Sequence, residues 1–320
     1  MKKLIMFIGI AVLIAGCSDD DKDNTTDNSH LISPRMAMSI DNINGQQSSF
    51  TGILTVIPCD ANSSIYYGNY VRGKLSPFYG YYQVKDGTFY DGSINREISL
   101  PIGTYNMIYW GTPKYQDPVY PHPAIKEAAH SIGLDMSKQS LGLFKISADT
   151  IYYPVFDLVY AAQTIKIGSE SLKASLKRVV AGLKVVLKDK DDTVLSSSID
   201  SVAVRITNIY SELNYYTGQP QGIPCTIAFP LARSIDGTQM SNSTVMLFPS
   251  AGKSEFQLTI TLKNGNVKSF KQTLSSPLNA NTKLTLTLSL GNIFSEESSG
   301  DFTVDNWNEK NENIDVPIIE

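Results

Sequence analysis

The run Ser171–Asp189, SLKASLKRVVAGLKVVLKD, constrains the fold more than any other stretch, because its apolar period changes partway along. Leu172, Leu176, Val179 and Leu183 recur at i, i+4, i+7 and i+11, the spacing of one face of a short helix, and leave Lys173, Lys177 and Arg178 for solvent. From Leu183 the period drops to two. Leu183, Val185 and Leu187 alternate with Lys184, Val186 and Lys188, which predicts a strand with one buried face, ended by the turn-rich Asp189-Lys190-Asp191-Asp192. Strand-and-turn patterning fills the chain on both sides, so this helix-to-strand run is expected to open a second β-rich unit. The alternative is a crossover inside one large sandwich, which a chain of 320 residues also permits.

The first residues carry an address. Lys2 and Lys3 precede the apolar stretch Leu4–Ala15 and then Gly16-Cys17, the layout of an export signal. As a helix that stretch would rise about 18 Å, short of the roughly 30 Å hydrocarbon core of a bilayer, so removal is expected rather than a permanent span. Leu13-Ile14-Ala15-Gly16-Cys17 resembles a bacterial lipobox, which implies a signal peptide over 1–16 and a lipidated Cys17. Several acyl chains on one residue, each buried CH₂ contributing about 0.8 kcal/mol, anchor a protein stably. Residues 17–30, with SDDDKDNTTDNS at Ser18–Ser29, are too polar to bury anything and read as a disordered tether. Cys17-Ser18-Asp19-Asp20-Asp21 also resembles the acidic surface-export signal of lipoproteins from gut-type Gram-negative anaerobes, which implies the outer surface of the outer membrane. The net charge of −4 carries no compensating basic stripe, which disfavours nucleic-acid binding. Cys59 and Cys225, in the similar settings Ile57-Pro58-Cys59 and Ile223-Pro224-Cys225, are either a disulfide or two buried thiols.

A first β-rich unit is expected over 31–165. Phe50–Ile57 and Ser64–Val71 read as strands. Seven of the 17 tyrosines fall between Tyr66 and Tyr90. Neighbours such as Tyr66-Tyr67 and Tyr81-Tyr82 point to opposite faces of a strand, so some rings are expected at the surface, as ordinary sandwich edge or as stacking rings for a sugar or partner. Leu100–Gly111, LPIGTYNMIYWG, sets a Pro-x-Gly turn before a strand with Tyr105, Met107 and Tyr109 on one face and Thr104, Asn106, Ile108 and Trp110 on the other. Ala124–His130, AIKEAAH, reads as a helix of one or two turns stopped at Gly133.

The pattern Leu100-Pro101-x-Gly103-x-Tyr105, followed by Tyr109-Trp110-Gly111, resembles the first domain of fimbrillins, the subunits of type V pili assembled from lipoprotein precursors. Arg178-Val179-Val180-Ala181-Gly182-Leu183-Lys184 is similar to the signature that opens their second domain, with Gly182 where the family carries Lys. The resemblance implies an all-β chain with few short helices, built as two tandem transthyretin-like Greek-key β-sandwich domains, the second over 166–320. In that second unit Ser201–Tyr210, Thr244–Phe248 and Phe256–Leu262 read as strands, and Asn264-Gly265 supplies a hairpin turn to Val267–Leu274. Lys283–Leu290 alternates cleanly, with Leu284, Leu286, Leu288 and Leu290 on one face. The ending, with Ile314, Val316 and Ile318 in alternation, also resembles fimbrillin ends. Such closing strands complete a neighbouring subunit's sheet, although Pro317 restricts pairing to one side. The alternative is that this segment packs on its own domain. Arg35, in Ser33-Pro34-Arg35-Met36, resembles the maturation cleavage point of shaft fimbrillins; its closeness to the tether favours an uncut linker.

Motifs for metal, triad or phosphate chemistry are missing from the sequence, and the histidines are only His30, His122 and His130. Asp189-Lys190-Asp191-Asp192 lacks the Gly and distal Glu of a calcium loop. No enzyme, cofactor or metal site is expected. The expected function is that of a lipid-anchored fimbrial anchor or accessory subunit whose partners are other fimbrial subunits. The competing class is a glycan-binding surface lipoprotein of a nutrient-uptake system, with Tyr66, Tyr67, Tyr81, Tyr82 and Trp110 as its stacking rings.

Overall fold

The computed structural model describes residues 30–41, 47–78, 80–90, 98–114, 122–146, 150–168, 171–291, 300–301 and 304–313. Among them the structure is all-β, with a 3₁₀ turn at Met136–Lys138 capped by Asp135. The long strands of the first unit are β1 (Met36–Asp41), β2 (Gly52–Asp60), β3 (Gly103–Pro113), β4 (Val159–Ile167) and β5 (Leu172–Arg178). They form an eight-stranded sheet in the order Gln47–Ser49, β1, β5, β4, β3, β2, Tyr82–Lys85, Thr88–Phe89.

The two ends of this sheet meet. Met38 N–H donates to the Gly87 carbonyl (2.7 Å) and Gly87 N–H to the Phe50 carbonyl (2.8 Å), while Phe50 N–H donates to the Met38 carbonyl (3.0 Å) within the first end. Asp86 and Gly87, at φ 50° and 80°, make the tight turn that brings the hairpin there. The rolled sheet encloses a core of Met36, Met38, Ile40, Leu54, Val56, Met107, Tyr109, Leu172 and Leu176 among others.

Two expectations fail here for one reason. Leu172–Arg178 is strand β5, parallel to β1 from Leu172 opposite Met36 to Leu176 opposite Ile40. It is not a helix, and it belongs to the first sheet, so the sheets change between Arg178 and Ala181 rather than at 165. The face that alternates inward is Leu172, Ala174, Leu176 and Arg178. A small residue and a charge on that face hid the period of two. Likewise 124–130 is extended, with Ile125–Lys126 paired to Ser140–Leu143, so tertiary pairing overrides the helix propensity of Ala and Glu.

The second unit contains β6 (Ala181–Asp189), β7 (Ile199–Ile209), β8 (Cys225–Arg233), β9 (Glu255–Leu262), β10 (Val267–Thr273), β11 (Thr282–Leu290) and β12 (Val304–Asn313). Its sheet runs Gly300–Asp301, β10, β9, β7, β8, Gln239–Ser241, β6, β11, β12. Strand β8 pairs with β7 as far as Leu231 and with Gln239–Ser241 at Ala232 and Arg233, so it turns from one layer into the other. β6 and β11 are parallel, with β7 to β10 between them in the chain. Leu183, Val185 and Leu187 of β6 and the leucines of β11 join Val202, Val204, Phe256, Leu258 and Ile260 in one core. The hairpin at Asn264-Gly265 stands as expected, with Gly265 at φ 86°.

The two units are joined by more than a linker. A four-stranded sheet of Ile125–Lys126, Ser140–Leu143, Glu212–Asn214 and Pro220–Gln221 draws from both halves of the chain. Ile151–Tyr152 adds to β8 in parallel. Strands β2 and β3 are buried on both faces over 56–59 and 107–111, where their second face, Ile57, Cys59, Ile108 and Trp110, belongs to the core of the second unit.

Candidate functional site

The expected aromatic platform divides sharply by burial. Tyr66 is 0%, Tyr82 2% and Trp110 4% exposed, so these three are core rings and not stacking rings for a sugar. Tyr82 lies between Phe78 and Phe89, with centroids at 4.5 and 4.6 Å. The Tyr66 hydroxyl accepts from Phe78 N–H at 2.7 Å. Trp110 bolts the two units together: its Nε1 donates to the Tyr215 carbonyl at 2.9 Å, and its ring lies 4.9 Å from Tyr160 and 5.5 Å from Tyr215. The Tyr160 hydroxyl donates to the Tyr216 carbonyl across the same seam. Half-buried Tyr67 meets Tyr105 edge to face at 5.2 Å, and burial raises its hydroxyl pKa. Of the five expected rings, Tyr81 stands open, at 49% exposure. Tyr90, at 54%, is an open ring that sequence reasoning misses; the polar partners Gln83 and Lys85 at period two from Tyr81 are the sequence signal that sorts an outward ring from the inward Tyr82.

The reactive residue types sit in unreactive settings. Cys59 and Cys225 are free thiols. Burial pushes both up to about 12, with Asp60 and Asp135 adding to the effect at Cys59, which keeps them protonated and poor nucleophiles. His30 and His122 are exposed, while half-buried His130 lies 5.1 Å from Tyr215. Among the described residues no group of three or more His, Cys, Asp and Glu is gathered for a metal ion. Two buried charges pair where the sheets change. Arg178 Nε donates to both carboxylate oxygens of Asp157, at 2.8 and 2.9 Å. Desolvation pushes the Asp157 carboxyl up, and the guanidinium opposes it.

The backbone edges are set by the outermost strands of each sheet. The second sheet ends at β12, which pairs antiparallel with β11 from Leu290 opposite Val304 to Thr282 opposite Asn313. Asn313 therefore lies at the end of β11 where Asn281 N–H donates to the Val180 carbonyl, close to the seam between units. Glu309 of this strand accepts from Ser275 N–H at 3.0 Å and from its hydroxyl at 2.8 Å. The other end is β10, covered by Gly300–Asp301 over a two-residue parallel pairing. At the start of the first unit, exposed Arg35 offers its carbonyl to Leu172 N–H at 2.7 Å and leads directly into β1. Cys17, Ile314, Val316 and Ile318 lie outside the described residues.

The profile of the fimbrillin-A associated anchor proteins Mfa1 and Mfa2 matches residues 38–313. No curated protein matches the chain. Among solved structures, a candidate cell adhesion protein from Bacteroides uniformis is similar at 14% identity and a TM-score of 0.50, over 88% of this chain and 97% of that one. One from Bacteroides ovatus is similar at 12% identity and 0.50, over 89% and 98%. The fimbrial anchor protein Mfa2 from Porphyromonas gingivalis is similar at 12% identity and 0.45, over 86% and 97%. At these identities the likeness to the two Bacteroides proteins is one of fold.

Proposed function

The chain belongs to the family of the fimbrillin-A associated anchor proteins Mfa1 and Mfa2, and on that premise we propose that it acts as a lipid-tethered anchor or accessory subunit of a fimbria. The tether is Cys17, acylated after removal of 1–16, with the acidic segment 17–30 holding the folded part off the outer membrane at the cell surface. The partners are other fimbrial subunits, joined through main-chain hydrogen bonds by strand addition.

One observation carries this reading: the sheet of the second unit is completed from within as far as Asn313, and its outermost strand β12 then gives way to Ile314-Asp315-Val316-Pro317-Ile318. Residues 304–313 are committed to their own fold, which leaves the tail after Asn313 as the pairing segment. The alternation of Ile314, Val316 and Ile318 gives that tail a single apolar face for a neighbour's groove, and Pro317 leaves it one pairing edge. Retention of β1 in the rolled first sheet supports an uncut Arg35.

Deletion of 314–320 tests the tail. The truncated protein is expected to melt as the parent does, because β12 remains, and to lose co-purification with fimbrial subunits. Unchanged co-purification would remove the tail from the account.

A further inference from the structure

We propose that the outward face beside the Asp86-Gly87 hairpin is an oligosaccharide-binding groove, with Tyr81 and Tyr90 as its stacking rings. The site goes beyond anchoring and does not depend on it. Pairing sets the geometry. Val84 opposes Phe89, Lys85 opposes Thr88, and Tyr90 N–H donates to the Gln83 carbonyl at 2.8 Å. Residues opposed in an antiparallel pair share a face, so Tyr90 and Gln83 point the same way, and Tyr81, two residues before Gln83, joins them. Continued antiparallel pairing makes the two rings diagonal neighbours, a relation that in a regular sheet spans about 7–8 Å. The same row continues across the sheet through Ile53, opposite Gln83, to Thr112, opposite Ile53.

The groove over this row holds about 530 Å³ and ends on Lys85, Asp86 and Lys114. Beneath it Tyr82 and Phe89 stack at 4.6 Å, so the floor is rigid. Tyr81 and Tyr90 are about half exposed, and among the described residues neither ring packs on another aromatic. Two aromatic faces held open on a firm sheet, with the Gln83 amide beside both, the Thr112 hydroxyl further along the row and charged residues in the same lining, match the alternating CH faces and hydroxyl edges of a sugar chain. The alternatives fit less well. A peptide anchor needs a closed apolar pocket, and this groove is open, with polar Thr51, Gln83 and Thr112 interleaved among Ile53, Val84 and Pro113. A nucleic acid needs a basic track, whereas the two lysines here share the lining with Asp86 on a chain of net charge −4.

The test is a printed array of plant, mucin-type and bacterial capsular oligosaccharides probed with the full chain, then titration with the hexasaccharide of strongest signal. Saturable binding is expected. Tyr81→Ala and Tyr90→Ala should each weaken it about tenfold, and Tyr81→Phe should bind within about threefold of the parent. Phe144→Ala, exposed and off this face, should leave binding unchanged. Both tyrosines are surface residues, so all variants should melt with the parent. Absence of saturable binding across the array, parental binding by the Tyr81→Ala/Tyr90→Ala double variant, or displacement by a single-stranded oligonucleotide would overturn the proposal.

Discussion

Arg178 shows how one residue can mislead a reading of sequence and still organise the fold. A charge at the inward position of β5 looks like the solvent side of a helix until its partner is known, and Asp157 is 21 residues upstream with nothing between them to announce the pairing. Burying either charge alone is costly, so Arg178→Met should destabilise the protein by about 3–5 kcal/mol in urea titration. Arg178→Met with Asp157→Leu should recover most of that loss, because a matched apolar pair leaves no uncompensated charge. His130 adds a dependence on pH. Burial against Tyr215 holds its imidazole below the ordinary value of 6.5, and Glu127 opposes this. The fold prefers the neutral ring, so its full contribution is present above pH 6.5 and declines as pH falls below that value toward the lower folded one. Melting curves from pH 7.5 to 5 should show this decline, and His130→Phe should flatten it.

At the scale of elements, strands with one wet face were legible. Glu255–Leu262 and Thr282–Leu290 show the alternation in burial that their sequences carry, because an antiparallel or mixed sandwich exposes one side of each. Strands β2 and β3 were legible as strands but not as strands buried on both faces. Their second partner is the other unit, and a single chain pattern does not say what covers Ile108 and Trp110. Of the candidate rings, alternation separates Tyr81 from Tyr82, whereas the burial of Tyr66 and Trp110 depends on residues more than 100 positions away in the case of Trp110 and Tyr215. Sheet closure rests on a similar long-range meeting at Gly87. A Cβ there would lie 2.7 Å from the Met38 carbonyl oxygen at φ 80°, so Gly87→Ala should cost about 1–3 kcal/mol. Hydrogen exchange should then quicken at Met38 and at residue 87, whose amides close the roll, and not in β11.

For the whole molecule, the seam matters most. Shared strands, the Trp110 bolt and a common core tie the two units, so a pull on one reaches the other through packed side chains and paired backbone rather than through a loose linker. That suits the proposed role, in which lipid would hold one end and a fibre the other. The most direct test of the account is the distribution of fimbriae between cells and medium in a strain carrying Cys17→Ser. The account predicts that fimbriae containing this protein still form and are shed into the medium. Fimbriae that stay on the cells as in the parent, or fimbriae that never contain the protein in either strain, would contradict it.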